Sequence, residues 1–310
     1  MIQPLTSDNA PLSVSVVIGI HNAASVIKQC LTALEAQIDP TLGEIIVADS
    51  STDGTDRLIR KQFPTVRLLH FEESLVLAQL RGKGIAIAKG SIVAILDPYS
   101  IVAENWLTEL TRTHQAVPNP IVGGTVDLYN ADEQNLYTWA TYINEYGMFM
   151  SPLEAGAMEI LPGSNISYKR SVLFDGEYPK HSEFWKTFVN QNVEAAGSEL
   201  WQTPSIRVHL HKPIAFWDFF HSRFDHGRCF AGMRAMNLST GERLLRALTT
   251  PLLPGVLLWR WGSCYWRKRC YRAKLLLTLP LQILLFSNWA WGECVGYCFG
   301  SGHSCRRLFY

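Results

Sequence analysis

The chain has 310 residues, 47% of them hydrophobic, which is enough for one large core and an appended segment. Its formal net charge of +1 hides two opposite parts. Residues 222–310 carry 13 basic and 3 acidic side chains, whereas the preceding part carries 15 basic and 24 acidic ones. A basic tail on an acidic body predicts an anionic partner. Because Trp, Leu and Tyr are interspersed with the basic residues, we expect this partner to be membrane lipid and not nucleic acid.

The cysteines and the N-terminal residues bear on location. The chain has seven cysteines, and five of them follow residue 260. Only Cys30 and Cys229 lie in the body, so no disulfide framework is predicted there, which indicates a reducing compartment. The first ten residues lack the basic and apolar regions of a secretory signal, so none is expected.

Strand and helix patterns alternate along the first 128 residues. Continuous apolar runs predict strands at 14–20, 44–49, 66–71, 91–97 and 121–128. Apolar spacing and helix-ending residues predict helices at 26–38, 54–63, 75–89 and 104–116. This order predicts a parallel sheet with helices on both faces, and ligand binding at the carboxyl ends of the strands. After residue 130 the pattern loosens and aromatic residues become frequent.

The segment DSSTDGT follows the second predicted strand. Asp49 is placed to accept hydrogen bonds from a base or a ribose, and Ser51 and Asp53 lie next to it. The alternative is that the segment only caps the next helix, since Ser, Thr and Asp are the usual capping residues.

Two further segments carry charge near the fourth predicted strand. Asp97 ends that strand, where a carboxylate can hold a divalent cation that bridges a diphosphate; a simple turn before Pro98 is the alternative. Arg81 lies in the helix that precedes the strand, where a guanidinium can meet a phosphate or a base. A solvated basic helix face explains Arg81 equally well.

These segments occur together in the order found in the inverting family-2 glycosyltransferases of the GT-A fold, which the chain resembles. The similar segments are IGIHN at 18–22, VADSSTDGT at 47–55, LRGKGIAIAKG at 80–90 and AILDPYS at 94–100. LPGSNISYKR at 161–170 looks like the acceptor-side segment of that family. The resemblance covers roughly residues 12–235.

The resemblance implies a nucleotide-sugar donor and a glycan or lipid-linked acceptor. The implied donor-binding residues are Ile20, Asn22, Asp49, Ser51, Asp53, Arg81, Asp97 and Tyr99. The implied acceptor-binding residues are Gly163 and Asn165.

One departure from the family concerns the metal, because a tyrosine replaces the second carboxylate of the Asp-x-Asp motif. Asp97 alone would bind Mn²⁺ or Mg²⁺ weakly, so a divalent cation is expected to matter little unless a histidine contributes. His211 fits that position slightly better than His209, although either could be a solvent-facing strand residue. Arg223 or Arg228 could then stabilise the leaving diphosphate, but a basic membrane-facing helix explains them as well.

A second departure concerns the general base, which the family supplies from a Glu-Asp pair at a helix start. The matching stretch, 181–197, contains Glu183 but no aspartate. A helix that begins near Ser182 would place Glu183 in its first turn, where the macrodipole favours a carboxylate. Glu183 is therefore the predicted base and His181 the second choice. The alternative for Glu183 is a helix-start residue without chemistry.

The C-terminal tail has the features of a membrane-associated segment. Residues 275–291 form an uncharged run of 17 residues, at the short end of what spans a bilayer. The basic cluster at 266–274 places the adjoining side in the cytoplasm. A buried helix pair is the alternative. Cys294, Cys298 and Cys305 are expected to be interfacial thiols.

The sequence thus predicts an α/β protein. Residues 1–235 would form a GT-A domain with a Rossmann-like, mostly parallel sheet, and residues 236–310 an apolar helical region associated with the membrane. The predicted function is inverting sugar transfer from a nucleotide diphosphate to an acceptor hydroxyl at the cytoplasmic face, in polysaccharide biosynthesis. The alternative is a catalytically silent nucleotide-sugar-binding protein. A dinucleotide-dependent oxidoreductase is disfavoured, because only Gly19 lies where its glycine-rich turn would be.

Overall fold

The computed structural model describes residues 13–39, 41, 43–212 and 215–308. The N-terminal residues, for which no secretory signal is expected, lie outside this range. The strands are β1 (Val14–Ile20), β2 (Gly43–Asp49), β3 (Arg67–His70), β4 (Ile92–Leu96), β5 (Ser100–Val102), β6 (Ile121–Leu128), β7 (Gly156–Met158), β8 (Asn165–Lys169), β9 (Phe174–Asp175), β10 (Tyr178–Pro179) and β11 (Leu200–Leu210). The helices are α1 (Ile27–Glu35), α2 (Thr55–Gln62), α3 (Leu77–Ala86), α4 (Trp106–Ala116), α5 (Leu136–Tyr146), α6 (Arg170–Leu173), α7 (Lys186–Ala195), α8 (Phe216–Ala235), α9 (Thr240–Thr249), α10 (Leu253–Arg267) and α11 (Arg272–Phe299).

The α/β class is confirmed, and the predicted strands and helices of the first 128 residues are present. The main sheet has the order β3-β2-β1-β4-β8-β6-β11-β5, with β7 also paired to β11. β1 to β4 run parallel, as do β6 and β11. However, β8 is antiparallel to both β4 and β6, and β5 is antiparallel to β11. The expectation of a mostly parallel sheet is therefore right for the first half, whereas the second half is mixed.

Both faces of the sheet are covered, which explains why β1 is apolar at nearly every position. Val16 and Ile18 pack in one core cluster with α1, whereas Val17 and Ile46 pack in a second cluster on the opposite face. Alternate residues of a strand point to opposite faces, so a strand between two helical layers needs apolar residues in both sets.

The segment before α7 packs closely on α3, and this contact sets where α7 begins. A Cβ atom at Gly82 would lie 2.2 Å from the Ser182 carbonyl oxygen, so only glycine allows the approach. The Phe184 amide donates to the Ala78 carbonyl at 2.8 Å. Residues 181–185 are therefore irregular, and α7 begins at Lys186. The predicted helix start near Ser182 is wrong, because these backbone groups are used in the contact with α3.

The C-terminal helix α11 lies against α8 along a glycine-lined contact. A Cβ at Gly227 would lie 2.3 Å from the Trp289 carbonyl oxygen, and one at Gly292 would lie 2.2 Å from that of Phe224. Small residues let two helix backbones approach in this way. α11 is the one described helix long and apolar enough to cross a membrane, with mean hydropathy 1.3. One side of α11 therefore packs against the rest of the protein.

A disulfide joins α8 to the residues after α11. Cys229 and Cys305 are bonded, with their Cα atoms 4.9 Å apart. The expectation that Cys305 is an interfacial thiol is therefore wrong, and the pair argues against the reducing compartment inferred from cysteine positions. The return of α11 along α8 brings together two residues that are 76 positions apart in the sequence.

We expect Cys305→Ser to lower the free energy of unfolding by about 2–4 kcal/mol, because the disulfide closes a long loop of the unfolded chain. Urea unfolding followed by tryptophan fluorescence measures the change. Cys294→Ser is the matched control, since Cys294 is a free thiol on α11. An equal loss in both variants would contradict a specific role for the disulfide.

Candidate functional site

A cavity of about 270 Å³ lies beside Asp97, immediately after β4. Its charged lining residues are Arg81, Asp97, Glu145, Lys186 and Arg223. Its aromatic lining residues include Tyr146, Phe149, Trp185, Phe230, Trp261 and Trp289. The first group can bind an anion and the second can cover apolar or sugar faces. This cavity is the candidate functional site.

Arg81 and Asp97 form an ion pair at one end of the cavity. The Arg81 guanidinium donates to the Asp97 Oδ1 atom, and both side chains are nearly buried. The Arg81 Nε atom is buried and has no hydrogen-bond partner among the described residues. An arginine thus neutralises the carboxylate that was expected to bind a cation. The Nε–H group of this arginine remains able to donate a hydrogen bond to a ligand.

Glu145 brings a second carboxylate to the cavity from α5, and the sequence analysis did not find it. Its Oε2 atom lies 3.1 Å from Lys212 Nζ. Burial alone would raise the pKa of Glu145, but the charges of Lys212 and Arg223 outweigh it and lower that pKa to about 2. Glu145 is therefore ionised at neutral pH.

Arg223 is a buried cation on α8 and lines the same cavity. Burial lowers its pKa, while the Glu145 carboxylate opposes the shift. Its Nη2 atom lies 3.1 Å from His226 Nδ1, and its Nε atom is buried without a partner within the described chain. Burial, and then the charge of Arg223, lower the pKa of His226 to about 3, so this ring is neutral. Arg223, one of the two residues predicted to stabilise a leaving group, thus lines the cavity.

Lys186 is a third cation of the cavity and was also missed. It is the first residue of α7, and its Nζ atom donates to the Leu161 carbonyl at 2.5 Å. Burial, and then the charge of Arg81, lower the pKa of Lys186 to about 8. No signal in the sequence marked it, because the predicted helix start was placed four residues too early.

Tyr99 occupies the position where the family has its second Asp-x-Asp carboxylate. Burial, and then the charge of Asp97, raise the pKa of Tyr99, while burial and the charge of Glu145 raise that of Tyr146. The Lys212 ammonium lies 4.8 Å from the centre of the Tyr99 ring. The position of the missing carboxylate is thus filled by a neutral phenol.

The predicted donor residues at the ends of β1 and β2 do not line the cavity, and the polar ones hold the two following loops together. The Asn22 amide donates to Ser51 Oγ at 2.7 Å, and Asn22 Oδ1 accepts from the Thr52 amide at 2.9 Å. Asp49 is fully buried, accepts from the Ser51 amide at 2.9 Å and hydrogen-bonds to His70. Ile20 is a buried residue at the end of β1.

Asp53 connects the start of α2 to the loop after β1. Its carboxylate accepts from the amides of Thr55 and Ala24 at 3.1 and 3.2 Å and from the Thr55 hydroxyl. Burial alone would raise the pKa of Asp53, but the hydrogen bond from the Thr55 hydroxyl, together with those from the two amides, outweighs burial and lowers that pKa. The N-cap position of α2 itself is occupied by Gly54, so Asp53 supports the start of the helix from one residue further back.

Of the two predicted acceptor-side residues, Gly163 lines the cavity and Asn165 lies behind it. Asn165 is buried, and its amide group donates at 2.9 Å to the carbonyls of Thr125 and Ile206. Its Oδ1 atom accepts from the Trp106 indole at 3.0 Å. These hydrogen bonds tie β8 to its neighbours, so Asn165 supports the wall that carries Gly163.

Glu183, the predicted base, is not among the residues that line the cavity. Its carboxylate accepts from Gln79 Nε2 at 3.1 Å and from the Trp185 indole at 2.8 Å. Trp185 does line the cavity, so Glu183 orients an aromatic wall residue. His181 is exposed.

Arg228, the other predicted leaving-group residue, lies away from the cavity. Its Nε atom donates to the Gly300 carbonyl at 3.2 Å. It therefore holds the end of α11 to α8, five residues after Arg223 on the same helix.

The chain is similar to known glycosyltransferases in both sequence and structure. The family model for glycosyl transferase family 2 matches residues 15–175, just over half of the chain. The chain belongs to glycosyl transferase family 2. It is 30% identical over 131 residues to glycosyltransferase GlyG of Streptococcus pneumoniae, which covers 41% of this chain and 44% of GlyG. It is 26% identical over 136 residues to the succinoglycan biosynthesis protein ExoO of Rhizobium meliloti, covering 44% and 39%. The chain thus matches less than half the length of these two relatives.

A solved glycosyltransferase structure shares the fold. The mannosyltransferase PcManGT from Pyrobaculum calidifontis, in complex with GDP-Man and Mn²⁺, aligns with a TM-score of 0.60 at 16% identity. The alignment covers 94% of this chain and 88% of PcManGT. The GT-A fold of this family-2 chain is therefore confirmed.

The side chains that could coordinate a metal in this family-2 chain do not fit a tightly bound divalent cation. Asp97 is ion-paired to Arg81, and His211 Nδ1 lies 2.7 Å from Gln29 Oε1. Burial lowers the pKa of His209, which belongs to β11. In the part of the chain that the structure describes, no three His, Cys, Asp or Glu side chains form a cluster suited to a metal. Hard cations require several oxygen ligands, and both carboxylates of this cavity are already ion-paired, Asp97 with Arg81 and Glu145 with Lys212.

Proposed function

We propose that the chain is a glycosyltransferase that moves a sugar, with inversion, from a nucleotide diphosphate to an acceptor hydroxyl at a membrane surface. The observation that carries this proposal is the meeting of Arg81, Lys186 and Arg223 in one cavity at the end of β4. Ligands of such sheets bind at this edge. The relative GlyG, which is named as a glycosyltransferase, supports the same reaction class.

Three side-chain cations can take over the work that a metal performs on the leaving diphosphate. Arg81 and Arg223 each have a buried Nε donor without a partner within the described residues, which phosphate oxygens would satisfy. Lys186 adds a third positive charge from the start of α7, where the helix dipole also favours an anion. Stabilising charge that develops on the leaving oxygen is the main requirement of this reaction.

The general base in this proposal is Glu145, which lines the cavity, rather than Glu183. A carboxylate with a pKa of about 2 is a weak base, but bound diphosphate would offset the charge of Arg223 and raise that pKa. The acceptor oxygen bonds to the anomeric carbon while the bond from that carbon to the phosphate oxygen breaks. The hydroxyl proton passes to Glu145, and the bonding electron pair stays on the leaving diphosphate.

The proposed membrane surface is the outer side of α10 and α11. Leu277 and Trp291 of α11 are 62% and 61% exposed, and Trp259 of α10 is 79% exposed. The opposite side of α11 packs against α8. In the most apolar 18-residue stretch of α11, 33% is buried within the protein, so most of this stretch is exposed. One apolar face on a docked helix favours binding in the plane of the interface over a single span. The acceptor is a glycan or a lipid-linked compound.

We expect Trp259→Glu combined with Leu277→Glu to weaken binding to anionic vesicles about tenfold or more, because each change removes an exposed apolar anchor. Co-sedimentation with phosphatidylglycerol vesicles measures this binding. Tyr178→Glu is the control, since Tyr178 is 80% exposed on the sheet domain. Equal binding of the double variant and the unaltered protein would contradict the proposed surface.

The experiment that tests the proposed function is a panel of nucleotide sugars incubated with the protein and membrane lipid extracts. Release of nucleoside diphosphate with a new glycosidic product supports the enzyme. Binding of a nucleotide sugar without any turnover supports the alternative, a silent nucleotide-sugar-binding protein. The Arg81–Asp97 ion pair is the observation that favours this second candidate, because it occupies the carboxylate that the family uses for the donor.

A further inference from the structure

A second, smaller cavity of about 80 Å³ lies between α5, α10 and α11. Its wall consists mainly of hydrocarbon side chains. The apolar lining includes Ile143, Leu258, Leu275, Leu279 and Phe286. Such a lining suits an aliphatic ligand and offers little to the hydroxyl groups of a sugar.

This apolar cavity adjoins the candidate active site. Met148 and Trp261 line both cavities, so these two side chains form part of the wall between them. The Trp261 ring packs edge-on against Phe286, with ring centres 5.8 Å apart. A molecule could therefore place one end in each cavity by passing Trp261.

The apolar cavity also continues to the proposed membrane surface. Leu276 and Leu279 line it and are 56% and 40% exposed. Leu277 and Ile283 extend the same exposed apolar side of α11. A hydrocarbon chain that enters beside Trp261 would thus leave directly into the lipid.

One buried polar atom in this wall also points to a ligand. Tyr265 lines the cavity and is 2% exposed, yet its hydroxyl has no partner among the described residues. The other polar residue of the wall, Gln282, is satisfied by Asn144 and by the Ala140 carbonyl. A buried hydroxyl without a partner is costly, and the oxygen that links a lipid chain to its head group would accept its hydrogen bond.

We propose that the apolar cavity binds the first carbons of the hydrocarbon chain of a lipid-linked acceptor. The acceptor hydroxyl then lies in the cationic cavity, Trp261 contacts the junction, and the rest of the chain lies along α11 in the membrane. This inference rests on the proposed function and narrows its acceptor to a lipid-linked compound. The small volume admits only the first few carbons, so the membrane supplies most of the apolar contact.

Gly262 offers a way to fill the cavity without disturbing its walls. Gly262 lines the cavity on α10, and a Cβ atom there meets nothing within 4 Å. Gly262→Leu therefore places a side chain in the space of the proposed ligand. Gly255→Leu is the matched control, because Gly255 is on the same helix, is equally open and does not line the cavity. Both changes replace a helical glycine and favour the helix to the same extent.

The probe is hexadecyl glucoside with a diazirine in its chain, presented in phosphatidylcholine vesicles, and the readout is the amount and position of photolabelling. We expect labelling of the cavity segments of α10 and α11. Gly262→Leu should lower it about tenfold, the effect of losing the burial of two methylene groups, while Gly255→Leu leaves it unchanged. Equal labelling of both variants, labelling confined to exposed residues, or no labelling of the unaltered protein would each overturn the proposal.

A parallel titration with UDP and GDP separates this inference from the proposed function. Gly262→Leu should bind nucleotide as the unaltered protein does, because no cation of the active-site cavity changes. Absence of nucleotide binding in every variant would refute the proposed function, and the labelling result would still decide whether the apolar cavity binds a lipid chain.

Discussion

Replacing Arg223 by glutamine is expected to lower turnover about 10²- to 10³-fold, the usual effect of removing one positioned group that stabilises developing charge. The guanidinium is buried in the cavity, where the low dielectric strengthens its interaction with a diphosphate. Glutamine retains a hydrogen-bond donor but carries no charge. Steady-state kinetics with a verified donor and acceptor measures the effect, and kcat/KM for the donor should fall further than kcat, because Arg223 also holds the bound diphosphate.

Arg228→Gln is the matched control for this prediction. Arg228 lies on the same helix, five residues later, and its guanidinium donates to the Gly300 carbonyl instead of facing the cavity. Its replacement should leave kcat within about twofold and affect stability only modestly. If both variants lose turnover equally, the effect of Arg223 is structural and the cationic leaving-group site is refuted.

Replacing Glu145 by glutamine is expected to lower turnover about 10²-fold or more, because general base catalysis contributes at least that much. Glutamine keeps the shape and one hydrogen-bond acceptor but cannot take a proton. Nucleotide binding should remain, which calorimetry checks, because the diphosphate contacts are made by cations. Lys212 loses its charged partner, so the unfolding midpoint is measured alongside the kinetics.

Glu183→Gln distinguishes the two carboxylates. Glu183 orients Trp185 through an indole hydrogen bond, which a glutamine oxygen can still accept, so a change below about tenfold is expected. A full loss of turnover in Glu183→Gln with normal turnover in Glu145→Gln would return the base role to the residue that the sequence predicts.

The sheet and one end of the site could be predicted because their signals are local. β1 and β4 are apolar runs between covering helices, and Asp97 directly follows β4. Arg81 was found because it lies on the helix that precedes that strand. Right-handed crossovers place the carboxyl ends of parallel strands along one edge of the sheet, so these residues could be grouped without coordinates.

The remaining charges of the cavity depend on contacts between distant parts of the chain. Glu145 lies within an aromatic stretch with no motif, and its partner Lys212 is 67 residues later. Lys186 enters the cavity because α7 begins after an irregular segment packed on α3, a boundary that helix signals placed too early. Neither the Glu145–Lys212 ion pair nor the packing of the segment before α7 on α3 alters the local pattern of hydrophobic and polar residues, so the sequence alone does not reveal them.

The tail shows how composition can predict an element but not its neighbours. The uncharged run at 275–291 correctly indicated a long apolar helix. Its inner side packs on α8 through Gly227 and Gly292, which lie 65 positions apart and gave no sign of their contact. The membrane prediction therefore applies to the outer side of α11, and removal of the tail would expose the core of the site.

The most direct test of the central claim, that side-chain cations hold the donor diphosphate, is calorimetric titration of UDP and GDP in the presence of EDTA. We expect one nucleotide to bind with an affinity that Mn²⁺ changes less than about tenfold, and Arg223→Gln to weaken that binding about tenfold or more in EDTA. Binding that requires Mn²⁺ and is unaffected by Arg223→Gln would contradict the account.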